Sequence, residues 1–304
     1  MGSIRRVEMF ATTNSRVGRR THGRPAPGRK TECFAGVRLW PWILLAGWLG
    51  MSSGFLPARA AATATGAEMT QTNRMEFSVR AEKLFQEARR RYQSDTNHVE
   101  AAWQFARACF DYADFATNKT TRADIARQGI NVCRQLIARH PASAPGHYYL
   151  GMNLGQVADT KRNLAALRMA REMEHEFLIV CDLDEKFDYA GSDRNLGLLY
   201  LEAPSFISIG SRSKARQRLR RTVELVPDYP ENRLVLIEAL LKWGDTADAR
   251  REVKALEDLW PDARRKLSGE AWAPLWPDWE KRLQNARDKL RDPSVKVLLP
   301  HYGD

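Results

Sequence analysis

The chain has 304 residues, of which 48 are Lys or Arg and 37 are Asp or Glu, so its formal net charge is +11. Residues 1–60 contain ten of the basic and two of the acidic residues, a net charge of +8, which leaves +3 for residues 61–304. A domain so close to neutral has little electrostatic attraction to phosphate backbones, which argues against a nucleic-acid-binding protein.

The segment 1–60 has the pattern of a basic leader followed by a signal peptide. A basic stretch ends at Arg38, and residues 39–56 form an uncharged run rich in Trp, Leu, Ile and Gly. Ala58-Arg59-Ala60 matches a small-x-small cleavage pattern, so we expect cleavage after Ala60 and a periplasmic or secreted bacterial protein. The alternative is an uncleaved anchor in the inner membrane, because the apolar run is just long enough to span a bilayer. No Cys stands at the cleavage site, so a lipoprotein anchor is not indicated.

Three segments are expected after the leader. Residues 61–73 are rich in Ala and Thr and are predicted to be a disordered tether. Residues 74–292 are predicted to form one helical domain, and residues 293–304 a C-terminal tail. Within the domain, apolar spacing predicts an N-terminal capping helix from Phe77 to Tyr92.

Four pairs of antiparallel helices are predicted after this cap. In chain order, the residues that mark them are Trp103 and Phe110 with Gly129, Cys133 and Leu136; Leu150-Gly151 and Leu154 with Leu164 to Phe177; Leu196-Gly197 and Tyr200 with Ala215, Leu219 and Thr222; and Arg233 to Trp243 with Ala249, Val253 and Leu256. Small residues at these positions let the two helices of a pair approach closely, and bulky ones fill the gaps between them.

Two similar segments near the C-terminus indicate that the helix pairs are repeats of one unit. Residues 224–228, Glu-Leu-Val-Pro-Asp, reappear as Asp-Leu-Trp-Pro-Asp at residues 258–262. The period of 34 is the length of one helix–turn–helix unit of a tetratricopeptide repeat. Pro227 and Pro261 are predicted to lie just past the ends of second helices, because a proline inside a helix lacks an N–H donor and clashes with the preceding turn.

These patterns together predict an all-α fold, a tetratricopeptide-like solenoid of antiparallel helix pairs with N- and C-terminal capping helices. The C-terminal cap is predicted between Ser268 and Arg291, where three Trp residues can cover the last pair: Trp272, Trp276 and Trp279. Stacked units of this kind form a groove that holds other chains. The alternative is a non-repetitive helical bundle with one chance echo.

An insertion, Ala203 to Ser213, interrupts the regular array after the first helix of the third pair. Ordered loops on rigid scaffolds are frequently functional, which predicts a binding element at the mouth of the groove, near Tyr148 and Arg194. The alternative is that Phe206 and Ile209 pack the insertion into the core.

The sequence contains no motif for catalysis, metal or cofactor binding. His-Glu-x-x-His, Gly-x-Ser-x-Gly, Cys-x-x-Cys and a phosphate-binding glycine loop are all absent from it, so we expect a non-enzyme without a cofactor. Cys109, Cys133 and Cys181 are interpreted as small core residues, and a bridge between the first two is the alternative.

One helix is strongly basic. Its charged residues are Arg212, Lys214, Arg216, Arg218, Arg220 and Arg221. Such a run is usually a solvated face, but it is also suited to an acidic partner. An acidic stretch between Glu172 and Asp188 could pair with it between copies of the protein, as a homo-oligomer.

The residues from Phe77 to Leu290 resemble the T-component-like tetratricopeptide proteins associated with TRAP transporters. The resemblance rests on the segments around Leu150-Gly151, Phe187 to Gly191, Leu196 to Tyr200, Ser208 to Ser211 and Pro227 to Asn232. It implies an all-helical periplasmic protein that partners a solute-binding protein of the transport system. Some members of that family are lipoproteins that form trimers, and this sequence departs from them in lacking the lipid-bearing Cys.

The function expected from the sequence is that of an exported adaptor with a protein partner, and a small ligand, in its concave groove. The alternative is a membrane-anchored scaffold for an envelope complex. Helix register and the insertion together predict the residues that bind the partner or ligand: Gln104, Tyr112, Tyr148, Met152, Gln156, Arg194, Glu202, Ser208, Arg212, Glu238 and Lys242.

Overall fold

A computed structural model describes residues 64–160, 164–205, 208–269, 272–273 and 275–291, and their regular elements are all α-helices. Within these ranges the helices, in chain order, are α1 (Ala64–Ser94), α2 (Val99–Ala113), α3 (Lys119–Arg139), α4 (Ala144–Asp159), α5 (Leu164–Leu183), α6 (Phe187–Glu202), α7 (Arg212–Leu225), α8 (Pro230–Lys242), α9 (Thr246–Lys266) and α10 (Trp276–Arg291). None of the helices in the described part of the chain is both long and apolar enough to cross a membrane.

The helices pack as four consecutive pairs, α2 with α3, α4 with α5, α6 with α7, and α8 with α9. The first helix of each pair also contacts the first helix of the next, so α2, α4, α6 and α8 form one layer. Helix α1 covers α2 at one end, and α10 covers α8 and α9 at the other. The prediction of an all-α, tetratricopeptide-like solenoid with capping helices is confirmed.

Local sequence signals explain where several helices begin and how closely the pairs pack. The side chains of Asn118, Ser143 and Ser211 accept hydrogen bonds from backbone N–H groups in the first turns of α3, α4 and α7. A Cβ atom on Gly151 would lie 2.7 Å from the Phe177 ring, so only glycine permits α4 and α5 to approach this closely.

The start of α1 differs from the prediction. The helix begins at Ala64, within the segment 61–73 that was predicted to be a tether and well before the predicted helix start at Phe77. Ala64, Ala67, Glu68, Met69 and Gln71 are strong helix formers within this segment, so local propensity permits the longer helix. The leader (residues 1–60) and the tail (residues 293–304) lie outside the described residues.

The two repeat prolines have different environments. Pro227 follows α7, which ends at Leu225, as predicted. The same prediction is wrong for Pro261, which lies inside α9. The helix continues because its last turns pack on α10: Ala263 is buried, and Arg264 forms an ion pair with Glu280 at 2.7 Å.

Two hydrophobic cores lie along the array. The N-terminal core runs from α1 through α6 and includes Ala215 at the start of α7, and the C-terminal core runs from Leu219 on α7 through α10. Leu201 and Trp243 are partly buried against both cores. Cys109 and Cys133 are buried in the N-terminal core as free thiols, in agreement with their interpretation as core residues.

Candidate partner-binding site

The residues predicted to line a groove lie on the layer of first helices, but many of them face the interior. Tyr148, Met152, Gln156 and Arg194 are buried. A docked peptide cannot reach these four side chains in this conformation, which corrects the expectation of an open groove at their positions. Their role in binding stays a prediction. The remaining predicted residues are partly or fully exposed: Gln104, Tyr112, Glu202, Ser208, Arg212, Glu238 and Lys242.

Several of these side chains connect one helix of the layer to the next. Gln156 donates a hydrogen bond to Asp114 at 2.6 Å, which joins α4 to the end of α2. Lys242 lies 2.8 Å from Glu202, which joins α8 to α6. Near α1, Gln104 accepts a hydrogen bond from Arg91 at 2.9 Å. The polar residues at these positions therefore stabilise the array itself.

Helix α4 is buried on nearly all sides, and the absence of charged residues from its sequence indicates this. It contacts α2, α3, α5 and α6. Between Ala144 and Ala158 it contains no Asp, Glu, Lys or Arg. A helix without a charged face is typical of a fully packed position, and this signal outweighs the register argument that placed Tyr148 and Met152 in a groove.

A buried polar centre lies between α4, α6 and α8. The Tyr148 hydroxyl donates to Asp188 Oδ2 at 2.5 Å, and Arg194 Nη2 donates to the same oxygen at 3.2 Å. Arg194 Nη1 donates to Asn232 Oδ1 at 2.8 Å. Asn195 Nδ2 donates to the Tyr148 hydroxyl at 3.2 Å. The centre joins three successive pairs of the array by hydrogen bonds.

The polar centre surrounds a left-handed turn at the start of α6. Asp188, Tyr189 and Ala190 have φ values of 51°, 58° and 59°. Left-handed backbone costs about 1–2 kcal/mol for each residue with a Cβ atom, so the surroundings must supply this free energy. Arg194 donates to the Asp188 carbonyl at 3.2 Å and the Tyr189 carbonyl at 3.1 Å, and Asn232 donates to the Tyr189 carbonyl at 3.1 Å.

Protonation in the centre is fixed by burial. Desolvation, followed by the negative charge of Asp188, raises the pKa of the Tyr148 phenol well above its ordinary value. Tyr148 is therefore a permanent hydrogen-bond donor near neutral pH. The centre is closed to solvent and holds the turn in place, and we assign it a structural role.

A second site is open to solvent and lies on α7. Arg212, Arg216 and Arg220 are spaced by one helical turn each, and with Ser213 and Gln217 they line a cleft of about 480 Å³. We call this the α7 cleft. Near it, the guanidinium carbons of Arg212 and Arg216 lie 5.6 and 4.9 Å from the centre of the Trp243 ring, within the range of a cation–π contact.

The arginines of the cleft are paired with carboxylates of α9 and its preceding turn. Arg212 lies 3.4 Å from Asp245, and Arg216 contacts the same carboxylate. Arg220 lies 2.8 Å from Asp248. The charge of this face is therefore partly neutralised within the chain.

The remaining arginines of α7 point toward other elements. Arg218 contacts Asp193 at 2.8 Å, and Arg221 contacts Glu185 at 2.7 Å. Asp193 is fully buried, and it is a structural residue that the sequence interpretation did not single out. The basic run is thus divided by helical periodicity into an open face and a face that holds α7 against α6.

The insertion leads directly into α7 and the α7 cleft. The Ser211 N–H donates to the Tyr200 carbonyl at 2.9 Å, and Ile209 packs partly buried against the N-terminal core. The insertion follows the C-terminal end of α6, whereas Tyr148 binds Asp188 at the N-terminal end of that helix. The expected proximity of the insertion to Tyr148 and Arg194 stays a prediction. Arg212 is exposed, as expected, and Phe206 lies outside the described residues.

No cluster of three or more His, Cys, Asp or Glu side chains in the described ranges could hold a metal ion. The array of helix pairs defines the chain as a tetratricopeptide-like repeat protein, a class of scaffolds for protein–protein contacts.

Comparison with known proteins gives one partial family match. The sequence model of a family described as regulator of microtubule dynamics protein 1-3 matches residues 69–186, which is less than half of the chain. No curated protein matches.

Two solved structures are similar in fold. The crystal structure of TTC0263, a thermophilic TPR protein in Thermus thermophilus, is 18% identical, with 71% of this chain and 98% of that chain covered and a TM-score of 0.49. The crystal structure of MamA is 15% identical, with 60% and 89% of the two chains covered and a TM-score of 0.41. The matching family is not described as transporter-associated, so the resemblance to the TRAP-associated proteins stays a proposal.

Proposed function

We propose that the protein is an exported, non-enzymatic adaptor that binds a protein partner at the α7 cleft. The observation that carries this proposal is the row of Arg212, Arg216 and Arg220 beside Trp243, on an array of helix pairs. An arginine fork can bind a carboxylate through two hydrogen bonds, and arginine and tryptophan are the residues most often found at the energetic centre of interfaces. A non-enzymatic role is proposed because the sequence carries none of the catalytic motifs.

The partner proposed is a periplasmic solute-binding protein of a TRAP-type transport system. This rests on the resemblance of the sequence to the T-component-like family, and export rests on the leader pattern. A homo-oligomer and a small ligand are compatible with the same proposal.

Binding of purified TRAP-class solute-binding proteins to the immobilised full chain tests the proposal. The variant Arg212→Ala/Arg216→Ala is expected to weaken binding at least tenfold, a loss of about 1.4 kcal/mol. The control is Arg127→Ala on α3, because Arg127 is 48% exposed and ion-paired, much as Arg212 is 56% exposed and ion-paired. Equal binding by the two variants, or no binding by the native chain, would contradict the proposal.

Export has a separate test. N-terminal sequencing of the protein isolated from its native host should give Ala61 as the first residue if the leader is removed there. An intact segment 39–56 would favour the alternative of a membrane-anchored scaffold, since that segment is the one candidate anchor we identify in the sequence.

The family match suggests a second candidate function. The matching family is named for the regulation of microtubule dynamics, and the match spans α1 to α5. Binding to a cytoskeletal polymer is therefore a candidate, and co-sedimentation of the purified chain with polymerised tubulin tests it. Absence of the chain from the pellet at micromolar tubulin would exclude this candidate.

A further inference from the structure

Two helix ends carry charges of the sign that their helix dipoles disfavour. The first turn of α7 contains Arg212 and Lys214 and no acidic residue, although the N-terminal end of a helix is its positive end. Helix α5 ends with Asp182 and Leu183, Asp184 follows, and its last turn has no basic residue, although the C-terminal end is negative. Positions that break a local rule in this way are expected to be functional.

At the start of α7, the α7 cleft has more guanidinium groups than carboxylates. Two carboxylates, Asp245 and Asp248, pair with two arginines each. The four arginines are Arg212, Arg216, Arg220 and Arg251. Arg212 and Arg220 are 56% and 49% exposed, and each uses only its Nη2 group in these pairs. The cleft is therefore net positive, and N–H donors of both arginines remain for carboxylates of another molecule.

At the end of α5, two carboxylates lack cations. Asp182, Leu183 and Asp184, which we call the acidic corner, are all exposed. Among the described residues, Asp182 and Asp184 form no ion pair, and Asp184 accepts one hydrogen bond, from the Lys186 N–H at 3.1 Å. Leu183 is 41% exposed between them. The corner stays net negative with Lys186 counted, because Glu185 beside it is neutralised by Arg221.

The cleft and the acidic corner lie at opposite ends of α7. Arg212 is the first residue of the helix, and the corner is next to Arg221 near the other end, since Glu185 lies 2.7 Å from Arg221. A second copy whose α7 runs in the opposite direction therefore brings each cleft against a corner. Such a two-fold arrangement, with the same contact made twice, is the commonest one in homodimers.

We propose that the acidic corner of a second copy of the chain binds in the α7 cleft. The carboxylates of Asp182 and Asp184 pair with Arg212 and Arg220, and Leu183 packs on the partly exposed ring of Trp243. Each contact gives both helix ends charges of the sign that they lack.

The dimer regulates access to the cleft. It occupies the surface that the proposed partner uses, so the dimer and the complex with the partner exclude each other. The inference goes beyond the proposed function, because it needs the cleft but not the identity of that partner. Since ion pairs between exposed groups are screened by salt, the dimer should dissociate as the salt concentration rises.

Sedimentation velocity of the full chain over a range of concentrations measures the dimer. Its dissociation constant should rise at least about tenfold in Asp182→Asn/Asp184→Asn, and also in the native chain between about 50 and 500 mM salt. Asp95→Asn is the matched control, because Asp95 is exposed and accepts a hydrogen bond from the N–H two residues on, as Asp184 does. A native chain that is monomeric throughout, or a dimer unchanged by Asp182→Asn/Asp184→Asn, would overturn the inference.

Charge reversal tests whether the two patches bind each other. Arg212→Glu/Arg220→Glu and Asp182→Lys/Asp184→Lys should each be monomeric, because each sets like charges against each other. Mixed in equal amounts, the two variants should form a mixed dimer, since both contacts regain opposite charges. Circular dichroism checks that each is folded, and the neutralised variant decides alone if one is not. Two folded variants that form no mixed dimer would overturn the inference.

These outcomes are separable from those of the proposed function. If solute-binding proteins bind through Arg212 and Arg216 but the native chain is monomeric, the adaptor stands and the dimer falls. If the mixed dimer forms but no solute-binding protein binds, the dimer stands and the proposed partner falls.

Discussion

Arg194 holds together the parts of the buried polar centre. It donates to the Asp188 carboxylate, to two carbonyls of the left-handed turn and to Asn232. Both Arg194 and Asp188 are buried. Removing one partner of a buried ion pair leaves an uncompensated charge, which costs more than the pair itself contributes.

The variant Arg194→Met should therefore lower the free energy of unfolding by about 3–5 kcal/mol, since Asp188 loses its cation in the interior. Urea unfolding followed by circular dichroism measures this change. The matched variant Arg127→Met, at an exposed pair on α3, should stay within about 0.5 kcal/mol of the native chain. If the two variants lost similar amounts of unfolding free energy, the buried polar centre would not be a major source of stability.

Ala190 tests the strain of the left-handed turn. Ala190 and Ala239 are both 0% exposed, but Ala190 has a φ of 59° and Ala239 lies within α8. Glycine relieves left-handed strain and weakens a regular helix, while both substitutions lose the same methyl group. Ala190→Gly should thus be more stable than Ala239→Gly by about 2 kcal/mol in urea unfolding, and the reverse order would exclude strain at the turn.

His147 makes stability depend on pH. Its Nδ1 lies 2.6 Å from Glu176 Oε2, and its Nε2 lies 2.8 Å from the Pro141 carbonyl, so both nitrogens face acceptors. The hydrogen bond to Glu176 raises the pKa of His147 above its ordinary value of 6.5. The contribution of His147 to the free energy of unfolding is therefore fully present below its ordinary pKa. It is lost as the pH rises through the raised pKa of the folded state.

Unfolding free energies between pH 5 and 9 should accordingly fall with rising pH above about 6.5 in the native chain. In His147→Gln this component of the decline should disappear. The control is His140→Gln, which also removes one histidine but from an exposed position. A profile unaffected by His147→Gln would show that another group is responsible.

At the scale of a single element, the length of α9 differs from the prediction. Its sequence predicts that the helix ends before Pro261, but in the structure it continues to Lys266. Pro261 interrupts its hydrogen bonds, but contacts with α10 lie on both sides of it. Trp260 packs on Trp276 just before the proline, and beyond it Ala263 is buried and Arg264 pairs with Glu280. Tertiary packing here outweighs a local signal that is correct at Pro227. Sequence patterns of one helix cannot reveal this, because the compensating contacts come from α10.

Replacing Pro261 by Ala should raise the free energy of unfolding by about 2 kcal/mol, since the helix gains a bond and loses a clash while the unfolded chain gains some freedom. Both Pro261 and Pro227 are exposed, so Pro227→Ala is a matched control. It should change stability by less than about 0.5 kcal/mol. A loss of stability in Pro261→Ala would mean that the ring itself contributes to packing.

At the scale of the whole molecule, the repeat period was enough to predict the helix pairs and their order. The candidate site was predicted only in part. Arg212 was identified because it lies in the predicted insertion, whereas its carboxylate partner Asp245 and the nearby Asp248 belong to the next helix pair and carry no local signal. The left-handed turn at Asp188 was also out of reach, because the contacts that stabilise it come from α4 and α8.

The left-handed turn has a consequence for the order in which the chain folds. In a simple repeat array each unit needs only its neighbour, so structure can spread from the N-terminus as the chain leaves the ribosome. Here the turn that begins α6 needs Asn232, which lies on α8, one whole helix pair downstream of Asp188. We therefore expect the third pair to close only after synthesis has passed the start of α8, later than its position in the array would suggest.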